Sequence, residues 1–354
     1  MPVYVRIDEA ELYRFTHQVF EAAGMPPENA ALVADNLTQG ELHGLGSHGV
    51  SRLLAVYVKR LRVGAVNPAP NVTVVRRQGS TGVVDGDNGP GAVVGTAAMR
   101  LALELAQEHG SGWVTARNSN HYGAAFLYTR MALPLGMIGF STTAAVPQVA
   151  PYGGNAAALG TNPLCIAVPG GERGPIILDM ATTVVARGKV QLAALEGKSI
   201  PLGWAVDADG RPTSDPVAAS KGRMLPLGGY KGYGLALMVE VFSSILTGAA
   251  FGQGIGELFA DFDRGQGMGH FFGALDVSGF MPLDAFRQRV DALIAYVKGM
   301  PLADDAEEIL VPGEPEARNA AAYRVAGIPI EREVVATMNG VAAELGVAPL
   351  RARA

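Results

Sequence analysis

The chain changes its hydrophobic period once, and that change does most to limit what it can fold into. Up to about residue 65 the apolar residues recur at helical spacing; from about residue 72 they gather into short strands separated by helices. In "EAELYRFTHQVFEAAG" Leu12, Phe15, Val19 and Phe20 fall on one helical face, Asp8 stands where a cap belongs, and Gly24 stops the run. "PPENAALVADNLTQGELHG" reads as a second helix and "VSRLLAVYVKRLRVG" as a third, followed by a linker at 67–70. Beyond it, "NVTVVRR", "TGVVDGD", "GWVTARNSN", "MIGFSTTAA", "LCIAVPG", "PIILDMAT" and "GHFFGALDV" read as strands. "GAVVGTAAMRLALELAQEHG", "AAFLYTRMALPLG", "GLALMVEVFSSILTGA", "PLDAFRQRVDALIAYVKGM" and "PIEREVVATMNGVAAELG" read as helices.

This alternation predicts an α/β fold, a substantially parallel or mixed sheet flanked by helices, behind a helical N-terminal segment. The expected division is 1–66 for the helical segment, 67–330 for the α/β core and 331–354 for a C-terminal helix and tail, intertwined as one unit. The turn-rich stretch 197–231 predicts a lid or a packed excursion, and the Gly/Asp-rich stretch 252–269 a mobile loop.

Bulk composition excludes several classes. With 354 residues, 49% of them hydrophobic and 17% charged, the chain can bury a large core. Its net charge is −5, and its densest basic run, "VKRLR" at 58–62, suits the end of a surface helix, so nucleic acid is not an expected partner. The one cysteine, Cys165, has no intramolecular partner for a disulfide, and in the apolar run "LCIAV" it reads as a small buried hydrophobe. The opening "MPVYVRIDEAEL" is charged at once, unlike a signal peptide, and no apolar run is long enough to cross a bilayer. A cytoplasmic protein with no membrane partner is expected.

Residues 41–52 read "ELHGLGSHGVSR", in which Gly44, Gly46 and Gly49 spell G-x-G-x-x-G, the spacing of a dinucleotide-binding loop. That loop must follow a strand, open the helix of a βαβ unit and precede an acidic residue by about 20 positions. Here a helical pattern precedes it, a Pro-containing linker follows the next helix, and "RVGAVN" holds no carboxylate at the required distance. The nucleotide reading therefore fails on context.

The same glycines enclose Ser47 and His48, and Arg52 follows four residues after His48, one helical turn on. An imidazole exchanges protons near neutral pH, and a guanidinium forks onto a carboxylate. Taken singly, His48 could equally be a structural histidine and Arg52 a surface ion-pair partner. Together they suit a substrate with a carboxylate beside a carbonyl or hydroxyl.

Four further clusters stand at predicted strand ends or helix starts. "ARNSNHYGAAF" carries His121 behind Asn118, Ser119 and Asn120, either a ligand site or a capping cluster. In "PYGGNAAALGTNPLCIAVPG" Thr161 and Asn162, with backbone N–H groups freed by glycines, could hold phosphate or carboxylate oxygens, or form a tight turn. "IILDMATT" places Asp179 where an acid either orients an imidazole or caps a helix. "PLGGYKGYGLALM" sets Lys231 in a glycine-rich helix start, suited to a phosphate or to an exposed loop. No metal-ligand spacing and no G-x-S-x-G nucleophile pattern occurs.

Six motifs in order, "GLGSHGVSRL", "NSNHYGAA", "APYGG", "LGTNPLCIAVP", "LDMATT" and "GGYKGYGLAL", resemble the type-2 malate/L-lactate dehydrogenase family. That family includes malate, L-sulfolactate and ureidoglycolate dehydrogenases, 2,3-diketo-L-gulonate reductase and Δ1-piperideine-2-carboxylate reductase. The resemblance spans about residues 8 to 345. It implies an L-sulfolactate dehydrogenase-like fold, a cofactor site without the Rossmann loop, NAD or NADP as cofactor, a small carboxylate substrate and a homodimer. The activity implied is hydride transfer between the nicotinamide and a 2-hydroxy or 2-oxo acid, or, alternatively, reduction of a cyclic imino acid.

By motif, the resemblance makes His48 the proton donor and acceptor and His121 a second active-site histidine. It sets Ser47 and Arg52 on the substrate, with Thr161 and Asn162 beside them, and Asp179 near the nicotinamide, orienting His48. Ile176, Ile177, Leu178, Asp179, Met180, Ala181 and Thr182, the pair Tyr230 and Lys231, and Gly313, Glu314 and Pro315 match cofactor-binding stretches. No metal is implied.

Overall fold

The computed structural model describes residues 3–353. Its N-terminal part consists of β1 (Tyr4–Ile7), α1 (Glu9–Ala22), α2 (Pro27–Leu42), a 3-10 turn at Gly46–His48 and α3 (Val50–Arg62). The core follows as β2 (Thr73–Gln78), β3 (Thr81–Gly89), α4 (Gly91–His109), β4 (Ser111–Ser119), α5 (Phe126–Thr129), β5 (Met137–Thr143), β6 (Leu164–Val168) and β7 (Ile176–Met180). Next come α6 (Arg187–Glu196), β8 (Ala205–Val206), α7 (Pro216–Lys221), β9 (Arg223–Met224) and α8 (Tyr230–Glu240). The chain closes with β10 (Met268–Asp276), α9 (Leu283–Lys298), α10 (Glu314–Ala326), β11 (Ile328–Glu331) and α11 (Arg332–Glu344). Among the described residues no helix is long and apolar enough to cross a membrane.

The main sheet has seven strands in the order β2-β3-β4-β10-β5-β6-β7. Only β3 and β4 run parallel; every other neighbouring pair is antiparallel. The sheet is therefore mixed, as expected, but antiparallel pairing dominates it. The reason is β10, a late strand buried along most of its length, which inserts between β4 and β5 and opposes both. One parallel βαβ unit is not a doubly wound sheet, so the fold has no Rossmann crevice.

Two pairs of short strands lie outside the sequence periodicity, β8 with β9 at two residues each and β1 with β11. β1 and β11 pair antiparallel, Tyr4 opposite Glu331 and Ile7 opposite Ile328. At four residues each, they are too short to establish an alternation. Their pairing ties the chain ends together, so that Leu12, Phe15, Leu37 and Leu54 share one apolar core with Met338, Ala342 and Leu350. Asp8 does occupy the N-cap position of α1, but its side chain makes no capping bond and pairs with Arg353 at 3.5 Å instead. Helices α6 and α10 also went unread; neither has a strong apolar stripe to announce it.

The two long loops prove to be packed. Residues 197–231 fold around α7, β8 and β9 over a small core of Val149, Val190, Ile200, Ala205, Ala219 and Met224. The stretch 252–269, expected to be mobile, is held by Arg60. That arginine was assigned to a solvated face, but it is 1% exposed and donates to the carbonyl oxygens of Glu257, Leu258, Asp261 and Arg264. A guanidinium fork facing several free carbonyls immobilises a loop that has no regular ladder of its own.

Gly91, the first residue of α4, sets the distance between that helix and the end of β4. A Cβ there would lie 2.3 Å from the Asn120 carbonyl oxygen and 2.5 Å from that of His121. Both are backbone atoms that cannot swing aside. Gly91→Ala is therefore expected to cost about 1–3 kcal/mol of stability through overpacking. Urea unfolding of the variant measures this, and an unchanged midpoint would rule the contact out as a constraint.

Candidate active site

The sheet topology sends several loops to one end of the molecule. β4 runs out at Ser119 opposite Met268 at the start of β10, β5 ends at Thr143 opposite His270, and β7 ends at Met180 opposite Leu164 at the start of β6. The segments around His121, Asn162, Asp179 and Gln266 thus leave the sheet on the same side. The glycine loop 44–49, between α2 and α3, is laid over this end.

Glu41, buried at the end of α2, shapes that loop. Its carboxylate accepts the Ser51 N–H at 2.7 Å and the Ser51 hydroxyl, and burial raises its pKa against those lowering bonds. A Cβ on Gly49 would lie 2.5 Å from this carboxylate. Two glycines of the spacing that imitates a nucleotide loop are therefore packing requirements, Gly49 against Glu41 and Gly44, in left-handed backbone at φ 78°, against Asn319.

The loop presents Ser47 and His48 at the surface of a cleft. Ser47 Oγ lies 3.0 Å from His48 Nδ1. The His48 and His121 rings stack with centroids 5.7 Å apart and planes 14° off parallel. Burial lowers the His48 pKa to about 4, and the Arg52 charge adds to that, although the ring keeps part of its surface in solvent. Burial lowers His121 further, to about 3, with contributions from His48, His270 and Arg52. Both imidazoles are thus neutral near pH 7. Two stacked rings cannot comfortably hold two protons, so the pair takes up its first proton as a unit.

Arg52, on the first turn of α3, donates to Gln191 Oε1 at 2.9 Å and lies 5.1 Å from the Phe259 ring centroid. Burial and then the Arg187 charge disfavour its protonated form. Arg187 opens α6, whose Gly188 lies 3.7 Å, measured from its ideal Cβ, from the Ser47 Cβ. Arg52 is the guanidinium that acts on the two histidines, and Arg187 lies near enough to Arg52 to influence it while donating to the Ser220 carbonyl at 3.1 Å. Neither Arg187 nor Gln191 was found by motif, because the weakly patterned α6 gave no sign that it packs against residue 47.

Asp179 is placed beside this cluster but not on His48. Its carboxylate accepts the Phe126 N–H at 2.9 Å, at the start of α5, the helix that follows the His121 loop. The surrounding protein raises its pKa to about 6, against the bond from Phe126, while part of the side chain stays open to solvent. Among the described residues it makes no hydrogen bond to either histidine. It holds the His121 segment through α5, much as a capping aspartate would.

The three stretches matched to a cofactor come together. Ile177 N–H donates to the Pro312 carbonyl at 3.0 Å, and a Cβ on Gly313 would lie 3.0 Å from the Ile177 Cβ. Leu227 N–H donates to the Thr182 carbonyl at 2.9 Å, which brings the Tyr230–Lys231 corner beside the end of the 176–182 segment. Tyr230 is exposed, its ring set edge-on to Tyr152, and Lys231 is exposed with no ion pair among the described residues. Thr161 reaches this area through its carbonyl, which accepts from the N–H and the hydroxyl of Thr182.

Two side chains in the matched set are taken up elsewhere. Asn162 is fully buried, in left-handed backbone at φ 34°, with its amide bonded to the Ala145 N–H, the Ala236 carbonyl and Glu240. It is a bolt between loop and helix α8 and does not face the cleft. Glu314 is clamped at 2.7 Å by Lys298 and at 2.6 Å by Arg318, which hold its pKa down at about 2. Only the backbone of the 313–315 segment is left to meet a ligand.

Behind the pair lies His270, fully buried on β10. Its ring nitrogens meet Thr143 Oγ1 and Ser119 Oγ, each at 2.8 Å, and its face stacks on Tyr122 at 4.7 Å. It went unremarked in the sequence because "GHFFGALDV" reads simply as a core strand.

Two neutral imidazoles and a guanidinium at one end of a mixed sheet can exchange a proton and hold a carboxylate, which suits an oxidoreductase of small acids. The comparisons agree. The profile of the family "Malate/L-lactate dehydrogenase" matches residues 7–339, and the chain belongs to that family. It is 40% identical to the malate dehydrogenase of Pyrococcus horikoshii, over 97% of this chain and 96% of that one. The solved L-sulfolactate dehydrogenase of Methanocaldococcus jannaschii is similar at TM-score 0.91 and 38% identity, covering 97% of this chain and 98% of its own. The Δ1-piperideine-2-carboxylate reductase of Pseudomonas syringae pvar. tomato has the same fold at TM-score 0.84 and 27% identity, covering 95% and 99%. The chain is a dehydrogenase of the 2-hydroxy-acid class, and such an enzyme works with a nicotinamide cofactor.

The buried histidine generates a pH prediction. Burial depresses the His270 pKa from 6.5 to about 3. As pH falls below 6.5 the unfolded imidazole takes up a proton that the folded one refuses, so this group removes stability progressively down to about pH 3. In His270→Gln that contribution disappears. Unfolding free energy should then depend less on pH across this window, by about 1.4 kcal/mol per pH unit. Identical slopes for the two proteins would contradict the assignment.

Proposed function

We propose that this enzyme reduces a small 2-oxo acid to the 2-hydroxy acid, and runs the reverse reaction, at the stacked His48–His121 pair. The observation that carries the reading is that two neutral imidazoles stack within reach of the Arg52 charge at one cleft.

The residues fit a nicotinamide dinucleotide. Gly313 backs directly onto Ile177, leaving backbone where a side chain would block approach, and Lys231 offers an unpaired cation at the N-terminal end of α8. NAD or NADP bound along residues 176–182, 230–231 and 313–315 would supply the hydride. The chain supplies the rest. Arg52 holds the substrate carboxylate, and Arg187 gives a second cation for substrates with a further acidic group. His121 donates a hydrogen bond to the carbonyl oxygen, and His48, steadied by Ser47, relays a proton taken up from solvent to that oxygen as it becomes an alkoxide. In oxidation the same proton returns to His48.

An apolar stripe on α8 and just after it, Leu235, Met238, Phe242, Ile245 and Leu246, is exposed and continues to Phe251. We assign it to a homodimer contact, because an apolar area of this kind is disfavoured in water. Ile245→Asp should shift the protein from dimer to monomer in analytical ultracentrifugation; a monomeric wild type would refute the assignment.

Activity is tested with a panel of 2-oxo acids and a cyclic imino acid, following NADH and NADPH consumption. Turnover of 2-oxo acids is expected. Exclusive turnover of the imino acid would replace the substrate class while keeping the site. Arg52→Ala should raise KM about thirtyfold, the loss of roughly 2 kcal/mol from a charged hydrogen bond. His48→Gln should lower kcat on the order of a hundredfold or more with little change in KM. Mild and equal effects of both substitutions would count against these roles.

A further inference from the structure

We propose that Tyr57 is a positioning residue that locks His121 in the tautomer protonated at Nε2, so that His121 faces the substrate only as a hydrogen-bond donor. The inference rests on the reading that His121 meets the substrate oxygen, and it names the group that makes the imidazole able to do so.

The geometry decides where the proton sits. Two hydrogen-bonding groups of the protein converge on His121 Nδ1, the Tyr57 hydroxyl at 2.6 Å and the Gly123 backbone N–H at 3.4 Å. A backbone N–H can only donate, so Nδ1 must present its lone pair. The hydroxyl has one hydrogen and two acceptors within reach, Nδ1 and the His121 carbonyl at 3.3 Å. Because the Gly123 N–H makes Nδ1 an acceptor, the hydroxyl hydrogen goes to Nδ1. With Nδ1 occupied by donors, the ring proton of a neutral imidazole must lie on Nε2. Among the described residues Nε2 has no hydrogen-bond partner, so its N–H is left for a ligand.

The surroundings keep this arrangement rigid. The loop that carries the ring is pinned on both sides: Gln266 Oε1 accepts the His121 N–H at 2.9 Å, and Asn36 donates to the Tyr122 carbonyl at 3.1 Å. Gly123 stands in left-handed backbone at φ 77°, and a Cβ there would lie 2.0 Å from Asn36 Oδ1, so the turn that aims its N–H at the ring requires glycine. Tyr57 approaches edge-on, its ring centroid 6.1 Å from that of His121, and its other side packs against Phe20. A narrow, largely apolar cavity lined by Met25, Val33, Leu61, Val66 and Leu258 adjoins this pair. In such surroundings burial holds the phenol firmly in its protonated, donating form. The opposite face of His121 is covered by His48.

The two stacked histidines thereby receive different tasks. Among the described residues the His48 ring has Ser47 as its one hydrogen-bond partner and keeps solvent access, so it can gain and lose a proton. His121 is held as a fixed dipole, a neutral imidazole that polarises an oxygen without surrendering its proton.

Histidine-labelled full-length protein provides the test. In a long-range 1H–15N spectrum at neutral pH, with His121 assigned through His121→Gln, the wild type should show the Nε2–H tautomer. Tyr57→Phe should turn His121 into a tautomer mixture and lower kcat by roughly ten- to a hundredfold. KM for the 2-oxo acid and nicotinamide binding, followed by fluorescence, should stay within about twofold. A wild-type His121 protonated at Nδ1 would overturn the proposal, even if the variant failed to fold. So would a folded Tyr57→Phe protein with wild-type kcat, or one that loses stability and activity while its tautomer is unchanged. If the wild type turned over no 2-oxo acid, the catalytic reading would fail, and the spectrum would still decide the tautomer.

Discussion

Strand β10 determines where everything else in this enzyme can lie. It enters the sheet late in the chain, between two strands that the sequence leaves nearly adjacent, and pairs with both along most of its length. Its buried, apolar run has no alternative site with comparable burial, since both of its faces must be covered. Insertion there separates β4 from β5, forces antiparallel pairing through the middle of the sheet and brings Gln266 and His270 up against the His121 loop. The loop that precedes β10 must then follow, and the buried Arg60 fork takes up its free carbonyl oxygens.

That architecture creates a site whose electrostatics are set by desolvation. His48, His121 and His270 all have their pKa values lowered chiefly by burial, and the Arg52 guanidinium adds to the effect on the first two. A cationic surround that discourages protonated imidazole is also one that attracts carboxylates. The same feature therefore selects an anionic substrate and keeps the histidines neutral until the reacting oxygen acquires negative charge. At that point the negative charge developed on the oxygen draws a proton from solvent through His48.

Much of this was legible in residue order, and the failures have physical causes. Leu12, Phe15, Val19 and Phe20 announced α1 because one face of that helix is buried. The loop around His48 is correctly separated from a nucleotide loop by its helical context, although the reasons for its glycines, the Glu41 carboxylate at Gly49 and Asn319 at Gly44, cannot be read from spacing. Arg60 looked like one charge in a basic run; it is buried because carbonyl oxygens about 200 positions later converge on it. Asn162 belonged to a motif shared with the family, and a motif marks a residue as needed without saying whether it serves substrate or scaffold. Arg187 and Gln191 lie on a helix without a clear apolar stripe, so nothing local pointed to the cleft.

The sequence by itself determined the chemical groups and their local presentation. It set an imidazole and a guanidinium one turn apart, a lysine among glycines, strands and helices of the right length, and six ordered motifs that identify the family. These depend on neighbours within a few positions, where backbone geometry alone dictates which side chains share a face. Only the tertiary structure decided which groups meet. His48 stacks on His121, Tyr57 reaches His121 across 64 positions of chain, and Asp179 caps α5 rather than holding an imidazole. The tautomer and the proton affinity of each histidine follow from those meetings, because they are set by burial and by hydrogen-bond partners that the fold supplies.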